Sequence, residues 1–310
     1  MDERMRRKLL RRDIGSYGWA LLIYYLLMTL CVTAAMMIQS AVLLITGDVP
    51  EETALMGNGW GYLTACLLAV LLIRIWKGKA FFTGMWKSDR RMTQGAFWQL
   101  LCLTISVQLV FQLLAIVMET LLNLMGLSII ESMEMASGMP DTFSMFLYYS
   151  LGAPVVEEII FRGAILRGLE RYGKRFAIWT SAFLFGIFHG NLIQSPYAFL
   201  VGLILGYVAM EYNVFWAMVL HMVNNLVLGD ILPRLTQGMG DVAAALLNQG
   251  VIWLSVIIAL ISLIRNRRQI REYRRSDLPS LECIGAFAIS PGVILLTLLM
   301  AVNALTMLIL

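Results

Sequence analysis

Residues 153–163 read A-P-V-V-E-E-I-I-F-R-G and place two acids and an arginine inside an otherwise apolar stretch. Glu158 and Arg162 are four residues apart, so on a helix they share one face and can pair. Glu157 lies roughly 100° around the helix from Glu158 and is left free to face a different neighbour. Pro154 removes a backbone hydrogen bond just before the acids. The stretch therefore predicts a bent helix that carries one paired and one free carboxylate.

The chain around this stretch is too apolar for a water-soluble fold. Its 310 residues are 59% hydrophobic and 14% charged, with a mean hydropathy of +0.76, whereas soluble domains carry about 25% charged residues. Nine apolar segments approach the roughly 20 residues that a membrane-spanning helix needs. They lie near 17–46, 57–75, 97–126, 142–166, 176–193, 197–212, 214–229, 249–264 and 282–310. We therefore predict an all-α polytopic membrane protein, a bundle of about eight or nine transmembrane helices.

The cations of the chain are distributed unevenly among the predicted loops. With nine spans, all of the 24 Lys and Arg residues except Arg234 fall on one side of the membrane. Cytoplasmic loops carry such an excess, so we predict a cytosolic N-terminus and an external C-terminus. The plasma membrane of a bacterium is the expected location. Topology and the anionic headgroups of the lipid bilayer account for the basic loops, and no nucleic-acid partner is expected.

The polar residues of the apolar segments divide the chain into three parts. Residues 142–229 hold most of these polar residues and form the predicted catalytic core. Residues 1–141 supply N-terminal transmembrane helices, and residues 230–310 supply a loop and C-terminal helices. The loop at 230–248 is expected to lie outside the membrane, with a short interfacial helix at 242–247. The four cysteines lie far apart, without metal-ligand or redox spacing.

The only two histidines of the chain occupy two further apolar segments of the core. Phe185 and His189 share one helical face at i,i+4, and His221 and Asn225 do so on a later segment. Asn224 is expected to point away, towards a neighbouring helix. Ionisable side chains at the centre of a membrane helix cost roughly 2.5–3.5 kcal/mol each. Their predicted depths differ by only about 10 Å from that of the acid pair, which indicates one shared cavity.

A carboxylate, two imidazoles and an amide in one cavity suit hydrolysis. The carboxylate can take a proton from water as it attacks a carbonyl, and an imidazole can hold that water or protonate the leaving amine. The second imidazole and the amide can donate to the developing oxyanion. Alternatively, Glu157, His189 and His221 could bind a divalent metal such as zinc, with an open position for water. The spacing leaves both routes open.

These residues resemble the motifs of the CPBP intramembrane protease family. That family includes type II CAAX prenyl endopeptidases and bacterial bacteriocin-processing and immunity proteins. Its motifs EExxxR, FxxxH and HxxxN are matched, in order, by residues 157–162, 185–189 and 221–225. Each motif is weak alone, but the ordered set uses the only two histidines of the chain. The resemblance covers the core and leaves the outer helices without a named relative.

The resemblance implies an endopeptidase whose site lies inside the membrane and opens towards the cytosol. Its partner would be a membrane-associated peptide or protein substrate, with a prenylated tail or a leader peptide as candidates. By the resemblance, Glu157 would activate water together with His189, and His221 and Asn225 would form the oxyanion site. The supporting motif residues that it implies are Glu158, Arg162 and Phe185.

Two other functions fit the same residues. A non-catalytic binding or immunity scaffold would use the cavity to hold a peptide or a partner, and its phenotype would survive Glu157→Gln. A proton-coupled carrier would use the buried acid and histidines as a relay, although no repeat relates the two halves of the chain. For the protease we favour a mechanism without a cofactor, because only Glu157 is a free motif glutamate and His221 with Asn225 resembles a donor pair. A divalent metal is the alternative.

Overall fold

The computed structural model describes residues 3–47, 55, 57–88, 90–137, 140–275 and 280–308. Within these ranges the secondary structure is entirely helical, without a β-strand, which confirms the predicted all-α class. Among the same residues, four helices are long and apolar enough to cross a membrane, or five if one bent pair counts as a single span. The predicted count of eight or nine spans is not confirmed.

The N-terminal part contains three long helices and a short one, of which only the first two pack side by side. They are α1 (Glu3–Thr46), α2 (Trp60–Gly84), α3 (Gln94–Asn123) and the short α4 (Ile130–Ser137). α1 packs along α2, and α2 in turn contacts the central helices. Gly78 interrupts α2 with φ 81° and ψ 167°, a conformation that glycine adopts without the steric cost of a Cβ atom. α1 and α2 therefore form one wall of the central region, whereas α3 packs against later helices.

The fifth helix, α5, spans residues 143–169 and contains the acid pair. It alternates between α-helical and π-helical turns, with π-helical segments at Tyr148–Gly152 and Glu158–Leu166. Pro154 follows the first of them, where its missing N–H is accommodated by the wider turn. π-helical turns are rare and occur frequently at functional sites. The predicted bend therefore takes the form of widened turns on both sides of Glu157.

The helices that carry the histidines pack tightly around α5. They are α6 (Lys174–Phe188), α7 (Gln194–Glu211) and α8 (Val214–Thr236). Two glycines allow α6 and α7 to approach closely. A Cβ atom on Gly186 would lie 2.8 Å from the carbonyl oxygen of Ser195, and one on Gly202 would lie 3.1 Å from Ala182 Cα. Small residues at such crossings let membrane helices approach within backbone contact.

The C-terminal part corrects one sequence prediction. α8 continues to Thr236 through a π-helical turn at Val227–Ile231, and α9 (Asp241–Arg265) begins soon afterwards. The loop predicted at 230–248 is therefore wrong, and only residues 237–240 separate the two helices. Pro233 lies in the first turn of the helical segment that follows the π-helical turn, where a proline costs little. The apolar run predicted as a separate interfacial helix extends α9 instead.

The chain closes with three more helices. They are α10 (Arg267–Arg275), α11 (Leu281–Ala288) and α12 (Pro291–Thr306). α11 and α12 are bent by 57° at a short break, so the last apolar segment is a broken helix. Pro291 explains the break, because a proline cannot continue the hydrogen bonding of a preceding helix. α12 packs against α1 and α6, so the two ends of the chain lie together beside the core.

Candidate active site

The three motif helices meet around a polar cavity of about 260 Å³. Glu157 on α5, His189 at the end of α6, and His221 and Asn225 on α8 all line it. The structure thus brings together the four residues that the sequence predicted to be reactive. Their catalytic roles remain predictions.

The predicted ion pair within α5 is confirmed by its geometry. Arg162 Nη1 lies 3.0 Å from Glu158 Oε1, and both side chains are 0% exposed. Arg162 also donates from Nη2 to the carbonyl oxygen of Gly202 at 3.2 Å, and its guanidinium lies 4.3 Å from the ring centroid of Phe185. The arginine therefore ties α5 to both α6 and α7. A buried guanidinium needs several partners of this kind to offset its desolvation.

His221 lies between the two adjacent acids. Its Nδ1 is 3.0 Å from Glu158 Oε1, and its Nε2 is 3.8 Å from Glu157 Oε2. Glu158 Oε1 also accepts from Arg162, so the histidine donates from Nδ1–H to the same carboxylate oxygen. This bond fixes the ring so that Nε2 faces Glu157. The sequence did not predict it, because the two residues lie on different helices.

His189 is held by its own helix. Its Nδ1 lies 2.8 Å from the carbonyl oxygen of Phe185. A carbonyl can only accept, so Nδ1 carries the hydrogen, and Nε2 is the nitrogen left for chemistry. The Phe185 ring meets both imidazoles edge to face, with centroids 4.8 Å from His189 and 5.7 Å from His221. Phe185 therefore positions both histidines as well as Arg162.

The two asparagines of α8 both reach the cavity. Asn225 donates from Nδ2 to the carbonyl oxygen of Tyr149 at 3.2 Å, and Asn224 donates to Asn225 Oδ1 at 3.3 Å. The prediction that Asn224 points away from the cavity is therefore wrong, whereas the expected bond to a neighbouring helix is present, to Tyr197 of α7. Adjacent helical positions differ by roughly 100°, and the cavity is wide enough to include both faces.

Several cavity residues carried no signal in the sequence. Tyr24 comes from α1, far from any motif, and its ring stacks on Phe188 with centroids 5.4 Å apart. Asn191 also lines the cavity, and its Oδ1 accepts from the backbone N–H of Ile193 and Gln194, at the start of α7. Other lining residues outside the motifs are Tyr148, Tyr149, Gln194 and Tyr197. Only Asn191 could have been singled out beforehand, as a polar residue in an apolar segment.

The same geometry also bears on whether the cavity residues could hold a metal ion. Within the described part of the chain, no three His, Cys, Asp or Glu side chains are grouped so that they could hold a metal ion. Both histidines use Nδ1 for a protein partner, which leaves Nε2 of each as the candidate donor. The metal-dependent alternative therefore lacks an assembled ligand set in this conformation.

Comparison with known families supports the resemblance drawn from the motifs. Residues 139–227 match the family model described as type II CAAX prenyl endopeptidase Rce1-like. The matched region contains all three motifs, and this match confirms the resemblance. A search of curated proteins and a search of solved structures gave no significant match. The apolar helices and the family match together make this an integral membrane protein.

Proposed function

We propose that this protein, whose central helices match the type II CAAX prenyl endopeptidase family, hydrolyses a peptide bond in a membrane-associated substrate. One observation carries the proposal. Four motif side chains from three helices line a single polar cavity inside an apolar bundle. Ionisable residues in such surroundings are expensive and mark functional sites by default.

Glu157 is the proposed general base. Its neighbour Glu158 already accepts from Arg162 and His221 through one oxygen, at 3.0 Å each. Glu157 has only the more distant 3.8 Å approach of His221 among the ion pairs of the described residues. A water molecule between Glu157 and Nε2 of His189 would lose a proton to the carboxylate as its oxygen attacks the carbonyl carbon.

The oxyanion is assigned to donors on α8. The Nδ2 group of Asn225 has two hydrogens, and the carbonyl oxygen of Tyr149 takes one of them. The second hydrogen can point to the oxyanion. His221 adds a donor at Nε2 in the form in which both ring nitrogens carry a hydrogen, since Nδ1 already donates to Glu158. Preorganised donors of this type are the largest single contribution in many acyl-transfer enzymes.

Collapse of the tetrahedral intermediate completes the reaction. The C–N bond breaks, and the proton that Glu157 took from water passes to the leaving nitrogen, directly or through His189. The products are a new carboxylate and a new amine, so one water is consumed and the residues return to their starting state. The family match favours a prenylated carboxy-terminal tail as the substrate, and a leader peptide is the other candidate.

Comparative terminomics tests the proposal. Membranes from cells that express wild type, Glu157→Gln, His189→Ala or Glu134→Gln at equal levels would be scanned for new peptide ends. Glu134 is exposed on α4 and does not line the cavity, so its variant controls for the loss of a carboxylate. We expect the same new ends with wild type and Glu134→Gln, and none with the other two.

Two results would redirect the proposal. New ends that persist in Glu157→Gln would exclude the general base and with it this mechanism. A phenotype that survives Glu157→Gln without any cleavage would support the scaffold instead.

Treatment of the purified protein with a chelator distinguishes the metal-dependent mechanism from the metal-free one. We expect unchanged cleavage, whereas a loss that zinc restores would establish metal dependence.

A further inference from the structure

A second cavity lies beside the catalytic one and has a different character. It has a volume of about 450 Å³ and is enclosed by α1, α2 and α5. We call it the apolar groove. Its lining includes Trp19, Ala20, Ile23, Leu72, Trp76 and Ile160. Four of these, Trp19, Ile23, Leu72 and Trp76, are exposed at the outside of the bundle, so the groove opens to the surrounding lipid.

The length of the apolar groove limits what can occupy it. Along α1 its lining extends from Ser16 to Leu27, a distance of roughly 16 Å at 1.5 Å per residue. This is about half of the ~30 Å hydrocarbon core of a bilayer. A membrane-spanning helix needs the full thickness, whereas an acyl chain occupies one leaflet. The groove therefore has the length of a lipid chain.

A lysine outside the ion pairs of the described residues marks one end of the groove. Lys77 Nζ lies 3.0 Å from Tyr17 Oη and 3.8 Å from the ring centroid of Trp76, and both aromatic residues line the Ser16 end. Among the described residues, no carboxylate forms an ion pair with Lys77. The charge of this lysine is thus available to an anionic group at the groove entrance.

The nearest turn of α1 contains an acid that is already occupied. Asp13 pairs with Arg171 and accepts a hydrogen bond from the Tyr172 hydroxyl. Burial, together with the hydrogen bond to Asp13, raises the pKa of Tyr172 to about 12. The phenol therefore stays protonated at neutral pH and continues to donate to Asp13. Asp13 is thus held by two close partners, and it acts on Lys77 only from beyond ion-pair distance.

We infer that the apolar groove binds an anionic phospholipid of the bilayer, with one acyl chain along α1, α2 and α5 and the phosphate beside Lys77. Basic pockets between membrane helices bind anionic lipid headgroups. Tyr17 and Trp76 add amphipathic rings of the kind found at the membrane interface. A net anionic lipid is preferred because a zwitterionic headgroup carries its own cation to compete with Lys77.

The position of this lipid matters for the neighbouring cavity. Tyr24 lines both the apolar groove and the catalytic cavity, so one aromatic ring separates the two. Its stacking on Phe188, next to His189, connects the end of the groove to the reactive histidine. The binding site itself stands on the groove and on Lys77, and it does not depend on the proposed protease activity.

Quenching of tryptophan fluorescence tests the site, because Trp19 and Trp76 line the groove. The full-length protein would be placed in phosphatidylcholine vesicles that contain a fixed fraction of brominated phosphatidylglycerol or brominated phosphatidylcholine. We expect severalfold stronger quenching by the anionic lipid. Replacing both Trp19 and Trp76 with Phe should remove most of that difference, which assigns it to the groove. Equal quenching by the two lipids would overturn the proposal.

Matched variants separate the headgroup contact from the groove. Lys77→Gln should abolish the preference for the anionic lipid, whereas Lys79→Gln, an exposed lysine on the same helix, should keep it. Ala20→Phe, which fills the groove, should reduce quenching by either lipid. An unchanged preference in Lys77→Gln would refute the assignment of the headgroup. Displacement of the brominated lipid by a prenylated peptide would show that the groove binds the prenyl chain of a substrate, and it would refute a resident phospholipid.

Discussion

Two acid–arginine pairs in this protein have the same i,i+4 spacing and opposite surroundings. In the core, Glu158 and Arg162 are both 0% exposed. At the end of α8, Asp230 and Arg234 form a 2.6 Å pair in which the arginine side chain is 51% exposed. The first pair has further partners on α6, α7 and α8, whereas the second pair combines an exposed arginine with an aspartate side chain that is 10% exposed. The same i,i+4 spacing therefore occurs in a buried polar site in one region and at the end of a helix in the other.

The comparison shows what makes the core unusual. A surface pair contributes little because water screens it. A pair removed from water needs further hydrogen bonds to offset its desolvation, and loss of one partner leaves an uncompensated charge. His221 and the carbonyl oxygen of Gly202 supply the additional bonds in the core. Among the described residues, the adjacent acid Glu157 forms only the 3.8 Å ion pair with His221, which fits a group that reacts.

The two adjacent acids should separate activity from stability most strongly. Glu157→Gln should reduce kcat/KM by about 10²–10⁴-fold, the range of a lost general base, with little change in unfolding. Glu158→Gln should instead lower stability, because Arg162 and His221 lose a carboxylate. Cleavage of a defined substrate and unfolding in detergent would be measured for both variants. If both variants changed cleavage and unfolding to a similar extent, the proposed division between a reactive and a structural acid would be wrong.

Removal of the two arginines tests the comparison directly. Arg162→Ala should cost about 3–5 kcal/mol of stability, because it leaves a buried carboxylate unpaired. Arg234→Ala should cost about 1 kcal/mol or less, as expected for a screened pair. The free energies of unfolding of both variants would be compared under one set of conditions. Equal losses would show that burial does not distinguish the two pairs.

Asn225→Ala tests the proposed oxyanion donor. Loss of one such donor costs about 10²–10³-fold in kcat, and we expect the effect in kcat rather than in KM. Asn224→Ala is the matched control, since its amide donates to Asn225 and not to a reacting atom in the proposed mechanism. A larger loss of kcat in Asn224→Ala than in Asn225→Ala would indicate that Asn224, and not Asn225, is the oxyanion donor.

Two glycines of α1 probe packing outside the core, where the smallest effects are expected. A Cβ atom on Gly18 would lie 2.5 Å from the backbone of Gly292 at the start of α12, so Gly18→Ala should cost about 1–3 kcal/mol. A Cβ atom on Gly15 would meet Ser290 Oγ at 3.6 Å, an ordinary contact. Gly15→Ala should therefore be neutral or stabilising by about 0.5–1 kcal/mol. Thermal unfolding of the two variants would decide.

Some structural features could be predicted because they depend on spacing alone. Helical periodicity places Glu158 and Arg162 on one face and Glu157 on another, whatever surrounds them. The same reasoning places Phe185 beside His189, where the carbonyl oxygen of Phe185 accepts from the imidazole. The apolar composition required helices, since a membrane leaves no other way for a chain of this kind to satisfy its backbone. The orientation in the membrane, the bacterial host and the catalytic roles remain predictions.

Other features failed because they depend on a local competition. The loop expected at 230–248 rested on Pro233, Gly238 and Gly240, which are typical of a turn. The proline instead falls after a widened helical turn that needs no N–H from it. The sequence shows where a proline lies, but it does not show whether a neighbouring π-helical turn allows the helix to continue past it. The expectation that Asn224 points away from the cavity failed for a similar reason, because the cavity is wide enough to include two adjacent faces of α8.

By itself, the sequence determined an all-helical membrane protein whose core places an acid–arginine pair, a second glutamate and two histidines on three separate segments. Only the tertiary structure decided that His221 binds Glu158, that Tyr24 separates two cavities and that Lys77 contacts Tyr17 at one end of the apolar groove. The physical reason is the range of each interaction. Periodicity fixes which side chains share a helix face, whereas contacts between helices depend on how small residues and widened turns allow those helices to pack.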